Sequence, residues 1–169
     1  MTATLAAMSA SDRTTDHDFA AMLNENAAAL SRLARHYAGP DDWQDLRQDM
    51  HLQLWRSFAT FDGRADRRTW VYRVALNTAL SFRRKPLPER PGLDAVPERG
   101  DVGAPHDERH VLEQFLAALD PVQRSVLLLD LEGLEREQIA DVLGLSPNAV
   151  AIRMTRLRQA FESQFLEQP

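Results

Sequence analysis

Apolar residues recur along this chain with a helical period. Over 17–37, Phe19, Leu23, Leu30, Leu33 and Tyr37 fall near helical spacing, which gathers them on one face. Gly39-Pro40 interrupts the rhythm, and the pair predicts a helix end. Asp41, with Gln44 at the capping-box position, then predicts a second helix. Its stripe is Trp43, Leu46, Met50, Leu54 and Phe58. A loop holding Gly63 follows, and then a helix from about Ala65 or Thr69 to Lys85 with Val71, Val74, Ala75, Thr78 and Phe82 on its apolar side. No run alternates β-branched and polar residues, so no sheet is predicted.

The rhythm disappears between 86 and 105. Five of the nine prolines and three of the seven glycines fall there. Proline fixes φ and removes a donor, so no long helix survives. The stretch 86–106 therefore reads as a flexible linker. It divides an all-α chain into two small helical domains, 16–85 and 107–169, preceded by a disordered tail at 1–15.

Beyond the linker, Val111, Leu112, Phe115, Leu116 and Leu119 mark a short helix. Asp120-Pro121-Val122-Gln123 is a strong start signal, with a cap, a proline at the first helical position and Gln at the third. That helix runs to about Glu132 and stops at Gly133. Another runs from about Glu135 to Leu143. The last opens at Ser146-Pro147 and buries Val150, Met154, Leu157 and Phe161.

The short break between the last two helices predicts a helix-turn-helix over 135–159. Gly144 supplies a positive-φ exit, Leu145 fills the gap, and Ser146 caps the second helix. Ile139, Ala140, Leu143, Val150 and Met154 form its small core. Asn148, Ala151, Ile152, Thr155 and Gln159 are then left facing outward, flanked by Arg153, Arg156 and Arg158. A slim basic helix fits the major groove of DNA. A plain helical hairpin with a solvated basic face is the competing reading.

Charge sharpens this picture. The net charge is −5, yet residues 62–85 hold seven basic groups against two acidic ones. Residues 144–161 hold three arginines and no acid. A polyanion responds to such local patches more than to the total. In 61–85, Trp70, Arg73 and Asn77 lie away from the Val71/Val74/Phe82 face. Aromatics beside arginines suit single-stranded DNA, where bases stack and phosphates pair. A core tryptophan beside a solvated face is the alternative. In 41–57, Asp45, Gln48, Asp49 and Arg56 lie opposite the apolar stripe, which suggests a protein partner or merely a solvated face.

Other chemistry finds little support. The absence of cysteine excludes a disulfide framework and a cysteine-type zinc site. No window approaches the ~20 apolar residues of a membrane span, and the first residues do not read as a signal peptide. His106 and His110 have i, i+4 spacing but lack the HExxH order and a third ligand. No metal, cofactor or catalytic set is predicted.

Taken together, these segments resemble bacterial RNA polymerase sigma factors of the extracytoplasmic-function type. "DLRQDMHLQLW" at 45–55 is similar to the family's core-polymerase-binding helix. Residues 61–84 are similar to its promoter-melting loop and −10-reading helix. Residues 119–158 are similar to its −35-reading domain. The resemblance covers about 130 of the 169 residues, in the family's order.

It implies that 16–85 is sigma region 2 and 107–169 is sigma region 4. Asp45, Gln48, Asp49, Leu52 and Trp55 would contact core RNA polymerase, through the clamp helices and flap of its large subunits. Arg64, Arg67, Arg68, Trp70, Arg73 and Asn77 would capture the −10 element. Ser146, Asn148, Ala151, Ile152, Arg153, Thr155 and Arg156 would read the −35 element. Promoter DNA and core polymerase are the implied partners. Family members are often held by an anti-sigma factor, and the implied location is cytoplasmic. Four residues depart from the family's usual pattern. Ala151 stands where lysine is common, His51 replaces a large apolar residue, Leu76 replaces a common arginine, and Glu135 stands in for a Ser or Thr cap. A stand-alone helix-turn-helix regulator is the rival reading, but it leaves 41–85 unused.

Overall fold

The computed structural model describes residues 2–82 and 108–165, with side chains for 16–82 and 111–165. The chain divides into two compact units, Met1–Lys85 and Pro86–Pro169. The predicted linker at 86–106 lies outside the described residues. All described elements are helices, and among them none is long and apolar enough to cross a membrane.

The N-terminal unit consists of α1 (Thr2–Phe58) and α2 (Arg67–Phe82). α1 is two helices joined at Gly39, whose φ of 78° and ψ of −176° are non-helical. That conformation is almost exclusive to glycine. The break falls where the sequence predicts it, but its details differ. Gly39 itself is the non-helical residue, and Pro40 opens the second arm, where its missing N–H costs nothing. Asp41 thus lies in the first turn rather than at the cap, still facing the positive end of the helix dipole. The backbone is also helical over 2–15, the stretch whose sequence predicts a disordered tail. Its alanines, leucine and methionine are strong helix formers.

The arms of α1 lie side by side. Phe19 on the first meets Trp55 and Phe58 on the second, with ring centroids 4.9 and 5.2 Å apart. Farther along, the Trp43 ring lies under both Arg35 and Arg47, at 4.4 and 5.1 Å. Met22, Leu30, Leu33 and Ala34 face Leu46, Met50 and Leu54 in a core closed to solvent. Each such leucine or methionine contributes roughly 1.5–3 kcal/mol by burial. α2 buries a broader face than its sequence predicts. Thr69, Tyr72, Leu76 and Ala79 are buried along with Val71 and Ala75, while Val74, Thr78 and Phe82 are only half-buried. A helix lying on a pair of helices buries more than one stripe. Leu76, where the resemblance leads to an arginine, therefore belongs to the core.

The C-terminal unit holds α3 (Glu108–Ala118), α4 (Pro121–Leu131), α5 (Arg136–Leu143) and α6 (Pro147–Phe165). Phe115, Leu116, Val126, Leu129, Leu134, Ile139, Val150 and Leu157 form its centre. The predicted start of α4 is realised in full. Asp120 Oδ1 accepts from the N–H groups of Val122 and Gln123 at 2.9 and 2.8 Å, and Gln123 Oε1 accepts from Asp120 N–H at 3.4 Å. Arg124 has a role that the helical pattern does not show. Its guanidinium donates to the carbonyls of Leu116, Ala117 and Leu119 at 2.9, 3.1 and 3.2 Å. These carbonyls lie at the end of α3, where helical partners run out, and a cation there also meets the negative end of the dipole.

Two substitutions test these local arguments. A Cβ at Gly39 would meet nothing within 4 Å, so Gly39→Ala carries backbone strain alone. It should lower the stability of the N-terminal unit by about 1–3 kcal/mol, read in urea by tryptophan fluorescence. All three tryptophans, Trp43, Trp55 and Trp70, lie in that unit. Arg124→Ala should speed hydrogen exchange throughout the C-terminal unit, with a loss of about 1.5–3 kcal/mol. Unchanged exchange in α3 and α4 would count against the capping role.

Candidate nucleic-acid and partner interfaces

The second arm of α1 presents one exposed face made of two kinds of group. Asp45 and Gln48 are exposed and Asp49 is half-buried. One turn on, Leu52 is 42% and Trp55 47% exposed. The spacing 45, 48, 49, 52, 55 keeps all five on one side, opposite the buried Leu46, Met50 and Leu54. An apolar centre with a polar border is the composition of a protein-binding patch. The five predicted docking residues thus share a face.

Beside this face, His51 is half-buried, and its Nε2 is closed to solvent with no hydrogen-bond partner. Burial, and secondarily the charge of Arg47, lowers its pKa below the ordinary 6.5. The imidazole is therefore neutral in the folded chain at neutral pH. Where the resemblance leads to a large apolar residue, a neutral ring stands here.

The loop after α1 and the start of α2 form a basic surface. Asp66 Oδ2 accepts from the Thr69 N–H at 3.1 Å and from the Thr69 hydroxyl at 3.4 Å, which starts α2 as an N-cap does. Asp62 pairs with Arg64 Nε at 3.0 Å and accepts from its N–H at 3.1 Å. Gly63, at φ 73°, makes the turn between them. Arg64, Arg67 and Arg68 are exposed, Arg73 is half-buried and Asn77 is exposed. Trp70 differs from the prediction of a free stacking aromatic. It is half-buried, with Phe61 at 5.0 Å and Phe58 at 6.4 Å between centroids. Tyr72 is buried, with Arg68 above its ring at 5.7 Å. The surface is therefore arginine-rich, with Trp70 and the half-exposed Phe61 as its aromatic element.

A groove of about 620 Å³ separates α1 from α2. Gln53, Arg56, Ser57, Thr60, Asn77 and Ser81 are among its lining residues. Of these, only Arg56 and Asn77 stand out in the sequence. The rest lie on different helices, and only the angle between the helices brings them together.

In the C-terminal unit, α5 and α6 form the predicted helix-turn-helix. Gly144 adopts φ 66° and ψ 34°, and the Leu145 N–H donates to the Ala140 carbonyl at 2.9 Å. Ser146 Oγ accepts from the Ala149 N–H at 3.1 Å. At α5, Gln138 Oε1 accepts from the Glu135 N–H at 2.8 Å, so the glutamate that replaces a hydroxyl cap still starts the helix with help from Gln138. The buried side of α6 is Val150, Met154 and Leu157. Ser146, Asn148, Ile152, Thr155, Arg156 and Arg158 are exposed, while Ala151 and Arg153 are half-buried. Arg153 Nη1 donates back to the Ala149 carbonyl at 3.1 Å. His106 and His110 lie outside the residues whose side chains are described.

The pH dependence of the N-terminal unit follows from His51. Its folded pKa is lowered, so below about pH 6.5 the unfolded chain takes up the proton first. Stability is fully present above that pH and falls until the pH passes the folded value. In His51→Leu the urea midpoint should fall less between pH 7 and pH 5. The variant should also be more stable at pH 7, by about 1 kcal/mol, because a buried unsatisfied nitrogen is gone. Parallel pH profiles for the two proteins would rule this out.

Comparison with known proteins agrees with this geometry. Residues 22–86 match the model of Sigma-70 region 2, and residues 109–161 that of Sigma-70 region 4. The RNA polymerase sigma-E factor of Streptomyces avermitilis is 33% identical over 150 residues, covering 82% of each chain. The ECF RNA polymerase sigma factor SigG of Mycobacterium tuberculosis is 31% identical over 153 residues, covering 72% of this chain and 41% of the relative. The chain thus spans about two fifths of that relative's length. In fold it is similar to the sigma factor RpoE of Bartonella quintana, solved with the anti-sigma factor NepR. The TM-score is 0.69 at 19% identity, over 90% of this chain and 99% of the other. Two region matches in family order, joined to a relative one-third identical over most of both chains, make this protein a member of the extracytoplasmic-function sigma factors, with sigma regions 2 and 4.

Proposed function

We propose that this chain binds core RNA polymerase and directs it to promoters by reading −10 and −35 elements and helping to open the duplex. The observation that carries this reading is the pairing, within one small unit, of the Leu52/Trp55 docking face with the arginine-lined loop and helix at 64–77. A stand-alone regulator needs neither. Asp45, Gln48 and Asp49 border the face that docks on the clamp helices of the large subunits, and the flap is a further contact. Arg64, Arg67, Arg68, Arg73 and Asn77, with Trp70, take the separated −10 bases. Flipping a base costs a few kcal/mol, and stacking returns roughly 1–3 kcal/mol per base.

Ser146, Asn148, Ala151, Ile152, Arg153, Thr155 and Arg156 meet the −35 duplex, with α6 in the major groove. Each unit alone binds weakly, and tethering makes the second contact intramolecular. The work is recognition rather than catalysis, with no cofactor, and it belongs in the cytoplasm where polymerase acts. An anti-sigma factor is a further partner, as in the complex solved for the similar Bartonella quintana protein.

Run-off transcription with purified core polymerase on genomic fragments tests the reading. New promoter-specific transcripts are expected, and their absence together with the absence of a core complex would overturn it. Within that assay, Trp55→Ala should weaken core binding by about 10- to 100-fold, the range of a central aromatic anchor. DNA binding by the free chain should stay unchanged. Equal losses in both would point to misfolding of the unit instead.

A further inference from the structure

The outward face of α6 offers fewer free hydrogen-bonding groups than its sequence suggests. The Thr155 hydroxyl donates to the Ala151 carbonyl at 3.1 Å. Arg153 is half-buried and donates back to the Ala149 carbonyl at 3.1 Å. The Ser146 oxygen is engaged by the Ala149 N–H at 3.1 Å. Among these committed groups Ile152 is 44% exposed, and its neighbour Ala151 carries only a methyl. The middle of the reading face is therefore apolar.

An apolar side chain in the major groove has one distinctive partner on the base edges, the C5-methyl of thymine. The other base edges present donors, acceptors or plain C–H. We propose that Ile152 reads a thymine methyl in the −35 element, so that specificity at this step comes from apolar contact rather than from a hydrogen bond. The proposal rests on α6 being the −35 helix. Asn148 lies one turn before Ile152, about 6 Å along the axis at 1.5 Å per residue. With base pairs about 3.4 Å apart, the thymine lies one or two base pairs from the pair met by Asn148. The short Ala151 adds no cation of its own beside Ile152.

The test uses the full chain, both with core polymerase and alone at low salt, to select duplexes from a randomised pool. Each thymine of the selected site is then replaced by uracil, which removes only the methyl. One replacement in the −35 half should weaken wild-type binding by about 3- to 4-fold, the worth of one buried methyl. In Ile152→Ala the same replacement should have almost no effect, the signature of a coupled pair. Ile152→Val, which keeps a branched apolar end, should retain most of the penalty and guards against a folding defect in the alanine variant.

Equal uracil penalties in wild type and Ile152→Ala, or identical selected sequences with equal affinity, would overturn the proposal. Promoter-specific transcription from a thymine-indifferent −35 site sinks this proposal and leaves the sigma reading intact. A thymine-dependent site selected by the free chain, with no core complex and no transcript, does the reverse. Enrichment of no sequence in either setting sinks both.

Discussion

The N-terminal unit depends on one aromatic junction. Phe19 comes from the first arm of α1, Phe58 ends the second, and Trp70 belongs to the first turn of α2. Their contacts, Phe19 to Phe58 at 5.2 Å and Phe58 to Trp70 at 6.4 Å, join three helical segments through one ring. Such tilted and edge-to-face pairs contribute about 0.5–1.5 kcal/mol each beyond the area they bury. The junction forms only because Gly39 folds α1 back on itself, bringing residue 19 to residues 55 and 58. The backbone conformation of a single glycine thus decides whether the aromatic contacts exist at all.

The same junction bears on both candidate surfaces of this unit. Trp55 touches Phe19 on one side of it, and Phe61 touches Trp70 on the other. The loop between α1 and α2 is held at its start by Phe58 and at its end by the Asp66 cap. Arg64, Arg67 and Arg68 therefore project from a short, tied segment. A surface ordered in advance loses less conformational entropy on binding. In the C-terminal unit, Gly144 and Ser146 serve the same end. Their backbone and capping bonds fix the direction of α6, so its outward face is set by local geometry within the protein.

What the sequence revealed depends on how local the controlling rule is. The Asp120–Gln123 capping box, the Ser146 cap and the glycine breaks at 39, 133 and 144 are each decided within a few residues, and each was legible. So was the shared face of Asp45, Gln48, Asp49, Leu52 and Trp55, because helical spacing alone relates these residues. The buried face of α2 is broader than its periodicity predicts, since Tyr72 and Leu76 are buried only because α2 lies on two helices at once. Trp70 is less free than its helical position predicts, because Phe58 and Phe61 approach it from outside its own helix. Arg124 binds the end of a preceding helix and leaves no periodic signal. The groove between α1 and α2 depends on an interhelical angle that no single segment encodes.

Exposure of an apolar side chain is weak information by itself, because folded proteins expose many apolar atoms. Val122 and Leu131 are exposed on α4, and scattered residues of that kind need no partner. Leu52 and Trp55 differ in arrangement rather than in degree. They lie three residues apart on one helical face, continuous with Asp45 and Gln48, and Trp55 is backed by Phe19. Burying that pair against a partner removes apolar surface without moving the core beneath it. Ile152 differs for another reason. It lies on the outward side of a capped, basic helix where Ser146, Arg153 and Thr155 are already engaged with the helix's own backbone. In both places what matters is the chemistry surrounding the exposed apolar group. Acid around Leu52 and Trp55 repels nucleic acid and favours a protein surface, whereas arginine beside Ile152 attracts the phosphates that bring a base edge within its reach.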